Sequence, residues 1–239
     1  MGRRDNKADN IFTAGQVLMI NKPLGWTSFG VVKKIRWLTG AKTGHAGTLD
    51  PLATGLLICC TGKYTKKISE YQQQEKEYTA TLTLGAETPT YDLESEPRNG
   101  RDYDHITADL IQSVAGKFTG EQWQLPPAHA AIKKDGKPIY QLARQGIAVE
   151  LEPRKIFIRS LEITRVALPS VDIRVVCGTG TYIRSLAHDL GKALGCGAYL
   201  SALCRTRIGD FRLEDALDME AAATMIRAAL LKTDSPPPG

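Results

Sequence analysis

The sequence predicts an α+β protein built on a mixed sheet. Two observations carry that reading. Strand-type alternation and helix-type periodicity occur in turn along the chain, and they do so without the strict β-α-β rhythm of a doubly wound fold. Composition agrees: 42% of the 239 residues are apolar and 24% charged, as in an ordinary globular domain. A chain of this length buries roughly 70–75% of the surface its unfolded form exposes, and one domain of generous size, or one and a half, is expected.

The elements follow in order. Residues 1–15 carry no periodic pattern and read as a flexible N-terminal segment. Residues 16–21 read as a strand ending in the turn Lys22-Pro23-Leu24-Gly25. A helix follows, capped by Thr27 or Ser28, with Val31, Val32, Ile35 and Leu38 at helical spacing and Gly40 as its stop. Residues 41–55, with Gly44, Gly47, Gly55 and Pro51, read as a loop, and Leu56–Cys60 as a short buried strand. In residues 76–84, Tyr78, Ala80, Leu82 and Leu84 share one face and three threonines the other, which predicts a half-buried strand.

Residues 85–105 are polar and turn-rich and predict an exposed loop. Thr107 caps a helix reaching Phe118, residues 124–136 are loop or extended, and a short helix spans 138–145 before Gly146. Strands are expected over 155–168 and 171–177, then a turn at Gly178-Thr179-Gly180. Thr181 is expected to cap a helix whose stripe is Ile183, Leu186, Ala187, Leu190 and Leu194. Strands over 198–204 and 207–212, a helix over 214–231 and a tail at 233–239 complete the chain.

Several function classes are excluded. No run of about 18 apolar residues exists to span a membrane. No apolar segment follows the basic N-terminus, so no secretory signal is expected and the location expected is cytoplasmic. The five cysteines are odd in number and form no C-x-x-C pair, which predicts reduced thiols. The four histidines lack ligand spacing, so no metal is expected. Gly62-Lys63 is no P-loop, because Leu57 and Tyr64 occupy the positions of its first glycine and its hydroxyl residue. Gly178-Thr179-Gly180 lacks the third glycine of a dinucleotide fingerprint, and no G-x-S-x-G elbow is present. Lys and Arg total 31 against 26 Asp and Glu, for a net charge of +5; that permits a nucleic-acid partner without demanding one.

Two stretches hold the chemistry. In Gly44–Gly55, GHAGTLDPLATG, Asp50 precedes a proline, which disfavours the helical region and fixes an extended or turn conformation. A carboxylate on a rigid loop suits a nucleophile or general base; equally it caps a turn through its own side chain. In Cys177–Gly191, CGTGTYIRSLAHDLG, Arg184 falls in the first turn of a helix, where the dipole gives a cation nothing. Either it is a surface arginine, or a buried carboxylate such as Asp50 holds it. Tyr182 is a core aromatic or a stacking platform, and Tyr78 is a core residue or a ring against a flat ligand with its hydroxyl free for proton transfer.

Taken with Lys22-Pro23-Leu24-Gly25, Lys76-Glu77-Tyr78, QLPPAHAAIKKDGKPIYQLARQG and GCGAYLSALCRTRIG, these stretches resemble the bacterial tRNA pseudouridine-55 synthases of the TruB type, in order over about 200 residues. The resemblance implies the pseudouridine synthase fold: a mixed, mostly antiparallel central sheet flanked by helices and loops, with an active-site cleft across it. It implies a catalytic domain over 16–232 that isomerises uridine 55 of the tRNA T loop without a cofactor. Asp50 would be the catalytic aspartate, with Arg184 holding it ionised and Tyr78 packed on the target base. His45 would enter the space left by the flipped uridine. Tyr182 and Leu203 would line the pocket, and Lys22, Gly47 and Thr48 would bind substrate. The implied partner is the tRNA T stem-loop, met by a monomer.

The chain departs from the pattern in three places. His129-Ala130 replaces an aromatic followed by Ser, and Gly178-Thr179 replaces Ser-Lys, which removes one positive charge. Only a helix and SPPPG stand where many relatives begin a small RNA-binding domain of the PUA type, so the catalytic domain alone is expected to bind tRNA. A binding or tRNA-folding module is the rival reading, but it would have no use for a carboxylate among phosphates.

Overall fold

The structure, a computed structural model, describes residues 10–127, 133–134, 137–138 and 151–233. The chain divides into two compact units, one formed by the residues up to Gln74 with those from Arg205 onward, the other by Glu75–Cys204.

The first unit opens with α1 (Ile11–Ala14), β1 (Val17–Lys22), α2 (Ser28–Thr39), β2 (Thr43–His45) and β3 (Ala53–Thr61). A 3-10 segment (Gly62–Lys67) and α3 (Ile68–Gln72) follow. β1 and β2 both run antiparallel to β3, with Leu18 opposite Cys59 and His45 also opposite Cys59. The run LLICC is apolar without alternation because β3 is buried on both faces. Leu57 and Cys59 pack with Ile20, Val31, Val32 and Ile35, while Leu56, Ile58 and Cys60 pack with Ala46 and Ile208.

The second unit holds β4 (Lys76–Leu84), α4 (Ala108–Gly116), β5 (Gly120–Gln124), the two-residue ladder β6 (Lys133–Lys134) with β7 (Lys137–Pro138), β8 (Arg154–Ala167), β9 (Ser170–Cys177) and α5 (Ile183–Leu194). Its sheet order is β4-β9-β8-β5, antiparallel throughout, with bulges in β8 between Ile158 and Ser160 and between Ile163 and Arg165. β10 (Ala198–Ile208) lies beside β4 in this unit, and its last residues lie beside β3 in the first. β11 (Phe211–Arg212) then pairs with the end of β10, ahead of a 3-10 turn (Leu213–Asp215) and α6 (Met219–Thr233). Parallel bridges Ile20–Leu217 and Asp92–Leu200 make the pairing mixed. No described helix is long and apolar enough to cross a membrane.

Most expected elements stand where the pattern put them. α2 has Thr27 as N-cap, its Oγ1 accepting from Gly30 N, and ends at Gly40 in the left-handed region. β4 buries Tyr78, Ala80, Leu82 and Leu84 as its alternation required. The departures have local causes. Inside the stretch expected to be flexible, Asn10 caps α1 reciprocally with Thr13, and Phe12 is buried against the α2 core; four residues are too few to show a period. α5 is capped at Tyr182 rather than Thr181, whose hydroxyl instead donates back to Gly178 O at 3.1 Å. The last helix begins at Met219, because Asp218 Oδ1 accepts from Glu220 N and Ala221 N. The two expected C-terminal strands are one long β10 plus β11. Lys137–Pro138 is extended where a helix was expected from 138; residues 139–145 of that helix, His129-Ala130, residues 1–9 and the tail from 234 lie outside the described residues.

Gly55 carries a sharp constraint. Its φ is +101°, and a Cβ there would sit 2.3 Å from Arg205 O and 2.6 Å from Arg205 N. β3 and β10 approach this closely only without a side chain. Gly55→Ala is therefore expected to cost on the order of 3 kcal/mol, read as a lower urea midpoint at unchanged m-value.

Candidate active site

In the first unit the loop from Gly47 to Leu56 is held at several points. The Ser28 hydroxyl, in the first turn of α2, accepts from Leu49 N at 2.8 Å and donates to Leu49 O at 3.0 Å. Asp50 O accepts from Ala53 N at 3.1 Å, closing the Asp50-Pro51 turn, and Pro51 O accepts from Gly25 N at 2.8 Å. Lys22 is fully buried, and its ammonium donates to Pro23 O, Trp26 O and Pro51 O at 3.0, 2.6 and 3.3 Å. Arg205, also buried, donates from Nε to Leu56 O at 2.8 Å and from Nη2 to Gly47 O at 3.1 Å. Buried cations satisfied by carbonyls thus bracket Asp50, which is itself half-buried.

Burial sets the electrostatics here. Desolvation pulls the Lys22 pKa down to about 8, against the attraction of Asp50 and with the help of the Arg205 charge. Desolvation also lowers His45, opposed by the Gly47 backbone and reinforced by Arg205, so the ring favours its neutral form. His45 Nδ1 is enclosed without a well-formed hydrogen bond. Thr48, at the outer edge of the loop, is exposed.

In the second unit Arg184 is buried in the first turn of α5, not on the surface. Its Nη1 donates to Thr90 O at 3.1 Å, and its Nε lies 3.7 Å from Asp92 Oδ2. Asp92 is likewise buried, and its Oδ1 accepts from Glu94 N at 3.0 Å. The Gln124 amide clamps the start of α5, accepting from Tyr182 N at 2.8 Å and donating to Tyr182 O at 3.1 Å. The Ser185 hydroxyl adds a bond to Leu125 O at 2.8 Å. Tyr78 is buried in β4 opposite Val175, and Leu203 is half-buried in β10.

The structure thus gathers Lys22, His45, Gly47, Thr48 and Asp50 around one loop of the first unit. Tyr78, Arg184, Tyr182 and Leu203 belong to the second. Sequence reasoning missed Asp92, Thr90, Gln124 and Arg205. The first two lie in a stretch that reads as exposed loop, and a loop has no periodicity to mark a buried carboxylate. Arg205 sits in a strand whose alternation is irregular. No group of His, Cys, Asp and Glu among the described residues has metal-binding geometry.

Comparison with known proteins defines the class. The model of the TruB family pseudouridylate synthase N-terminal domain matches residues 34–183, and that of the tRNA pseudouridylate synthase B C-terminal domain matches 184–233. The tRNA pseudouridine synthase B of Flavobacterium johnsoniae is 53% identical over 216 residues, 87% of this chain and 94% of the relative. That of Parabacteroides distasonis is 47% identical over 230 residues, 93% of this chain and 98% of the relative. Among solved structures, a Cbf5-Nop10-Gar1 complex superposes with a TM-score of 0.72 at 29% identity, covering 94% of this chain and 58% of that one. An H/ACA RNP bound to a substrate RNA containing 2'-deoxyuridine gives 0.69 at 27%, covering 94% and 57%. The α+β fold is therefore that of the pseudouridine synthases, which are isomerases. Within that class, the chain belongs to the TruB family of pseudouridylate synthases.

Two outcomes follow from the loop. Arg205→Met leaves Gly47 O and Leu56 O buried without these donors and is expected to cost about 2–4 kcal/mol, measured by urea unfolding. For Lys22, the folded pKa of about 8 lies below the ordinary 10.5. Below pH 8 both states hold the proton and the burial cost is fully present. Between 8 and 10.5 the unfolded chain binds more protons, so stability rises with pH. The stability of the wild type minus that of Lys22→Met is expected to grow across that window; a flat difference would contradict it.

Proposed function

We propose that the protein isomerises uridine 55 in the T loop of tRNA to pseudouridine. The membership in the TruB family and the relatives' names, tRNA pseudouridine synthase B, support tRNA as substrate. The observation that carries the chemical reading is the immobilised Asp50 loop: a carboxylate held on a backbone bonded by Ser28, Lys22 and Arg205.

The reaction breaks N1–C1′ and forms C5–C1′ within one nucleotide. The freed uracil turns, C5 gives up its proton, and N1 ends protonated. No atom is added and no electron leaves, so the chemistry calls for no cofactor. Asp50 is the group that engages the base or C1′. Arg184 is the cation that would hold Asp50 ionised, and Tyr78 would pack on the base and serve proton transfer at C5. A target in a folded loop must leave its stack before it can react. His45, neutral and enclosed, suits the space the base vacates. Gly47 and Thr48 belong to the loop that would receive the nucleotide and Lys22 anchors it, with Tyr182 and Leu203 as pocket walls. Phosphate contacts and loop shape would position the RNA. The protein acts as a monomer, in the cytoplasm where tRNA is matured.

The test is tritium release from an unmodified tRNA transcript labelled at uridine C5. Release matching one T-loop uridine is expected from the wild type, and none from Asp50→Ala, with tRNA binding retained by the variant. Substantial turnover by the variant would remove Asp50 from the mechanism. Binding without release by the wild type would favour a binding module.

A further inference from the structure

α2 presents two opposed faces. Val31, Val32 and Ile35 are buried in the core. Phe29, Lys33 and Trp37 recur at four-residue spacing on the other side, and Phe29 and Trp37 are 64% and 72% exposed. Two large aromatics left in water on one helix stripe mark a surface that meets something else. Lys34 reaches over the Trp37 ring, its Nζ 4.8 Å from the centroid, and Arg36 is exposed beside it, its Nη2 donating to Thr43 O.

The segment that carries this stripe has charge of one sign. From Ile11 to Leu49 the chain contains no Asp or Glu, yet besides the buried Lys22 it contains Lys33, Lys34, Arg36 and Lys42, which reach the surface. A second copy of the same face would set these cations against each other. Phosphates answer the cations, and bases answer the rings, because any base can stack on an exposed aromatic. The stripe also starts beside the candidate chemistry: Ser28, next to Phe29, is the residue bonded to Leu49, one position before Asp50. From Phe29 to Trp37 it runs about 12 Å along the helix.

We propose that the outer face of α2, with Phe29 and Trp37 as stacking platforms and Lys33 and Lys34 as phosphate contacts, is a docking surface for substrate RNA. The proposal rests on tRNA being the substrate. It adds a recognition surface made by a helix whose other face builds the core.

The experiment uses the full chain and an unmodified tRNA transcript, with the dissociation constant measured at several salt concentrations. The Lys33→Gln/Lys34→Gln double variant is expected to bind several-fold more weakly, with the log–log salt slope reduced by roughly one to two. Trp37→Ala is expected to weaken binding by about 5- to 100-fold. Both should keep the wild-type circular dichroism spectrum, since the altered side chains lie outside the core, and kcat at saturating RNA should stay within about twofold. The Lys33→Arg/Lys34→Arg variant should restore binding. Wild-type affinity and salt slope in both loss variants would overturn the proposal and leave the face to an acidic protein or an anionic membrane. Failure of the enzymatic reading is separate: the wild type would then bind tRNA through this face yet release no tritium.

Discussion

The guanidinium of Arg205 ties the end of β10 to both ends of the loop that carries Asp50. One nitrogen holds Leu56 O at the start of the buried part of β3, and another holds Gly47 O on the far side of the loop. The strands come close enough for this only because residue 55 has no side chain. Ordering each loop residue costs roughly 1–2 kcal/mol of backbone entropy. The anchors that offset this cost are polar and buried: Arg205 from β10, Lys22 from the end of β1, Ser28 from the start of α2. Each is satisfied by backbone carbonyls or amides, so the loop is rigid because its partners are rigid elements.

The second unit solves a similar problem with paired charges. Arg184 and Asp92 are both buried, and a buried charge is tolerable only with partners that replace water. Thr90 O and Glu94 N supply further bonds, and the bridge from Asp92 to Leu200 pins the loop to β10. Tyr91, between the two, has φ +63°, a conformation that strains a residue with a side chain. Its ring stacks on His188, four residues beyond Arg184 on α5, with centroids 4.0 Å apart. Loop and helix therefore meet twice, once by charge and once by stacking. The Gln124 clamp on Tyr182 fixes the same helix from its start.

α2 shows how one short element serves two demands. Its inner face contributes Val31, Val32 and Ile35 to the core, its first turn holds the Asp50 loop through Ser28, and its outer face remains aromatic and basic. A helix that only filled the core would gain nothing from Phe29 and Trp37 in water. Core, loop and outer face are coupled because the helix is held at its start by the Thr27 cap and at its end by Gly40.

What was legible in the sequence were features with a period or a local stereochemical rule. The alternation of β4, the stripes of α2 and α5 and the extended bias of Asp50 before Pro51 are short-range constraints that a string of residues records directly. The motif GHAGTLDPLATG with the downstream GTYIR also marked the family, since such spacing is seldom met by chance. α1 and β2 were not legible, because each spans barely more than one period, too little for a pattern to repeat. Tertiary structure alone decided which charges are buried. Asp92 sits in a polar loop and Arg205 in an irregular strand, and neither neighbourhood says that water is excluded. Burial is the sum of contacts with residues far away in sequence, such as Arg184 for Asp92 and Leu56 for Arg205, and only the folded chain brings those partners within bonding distance.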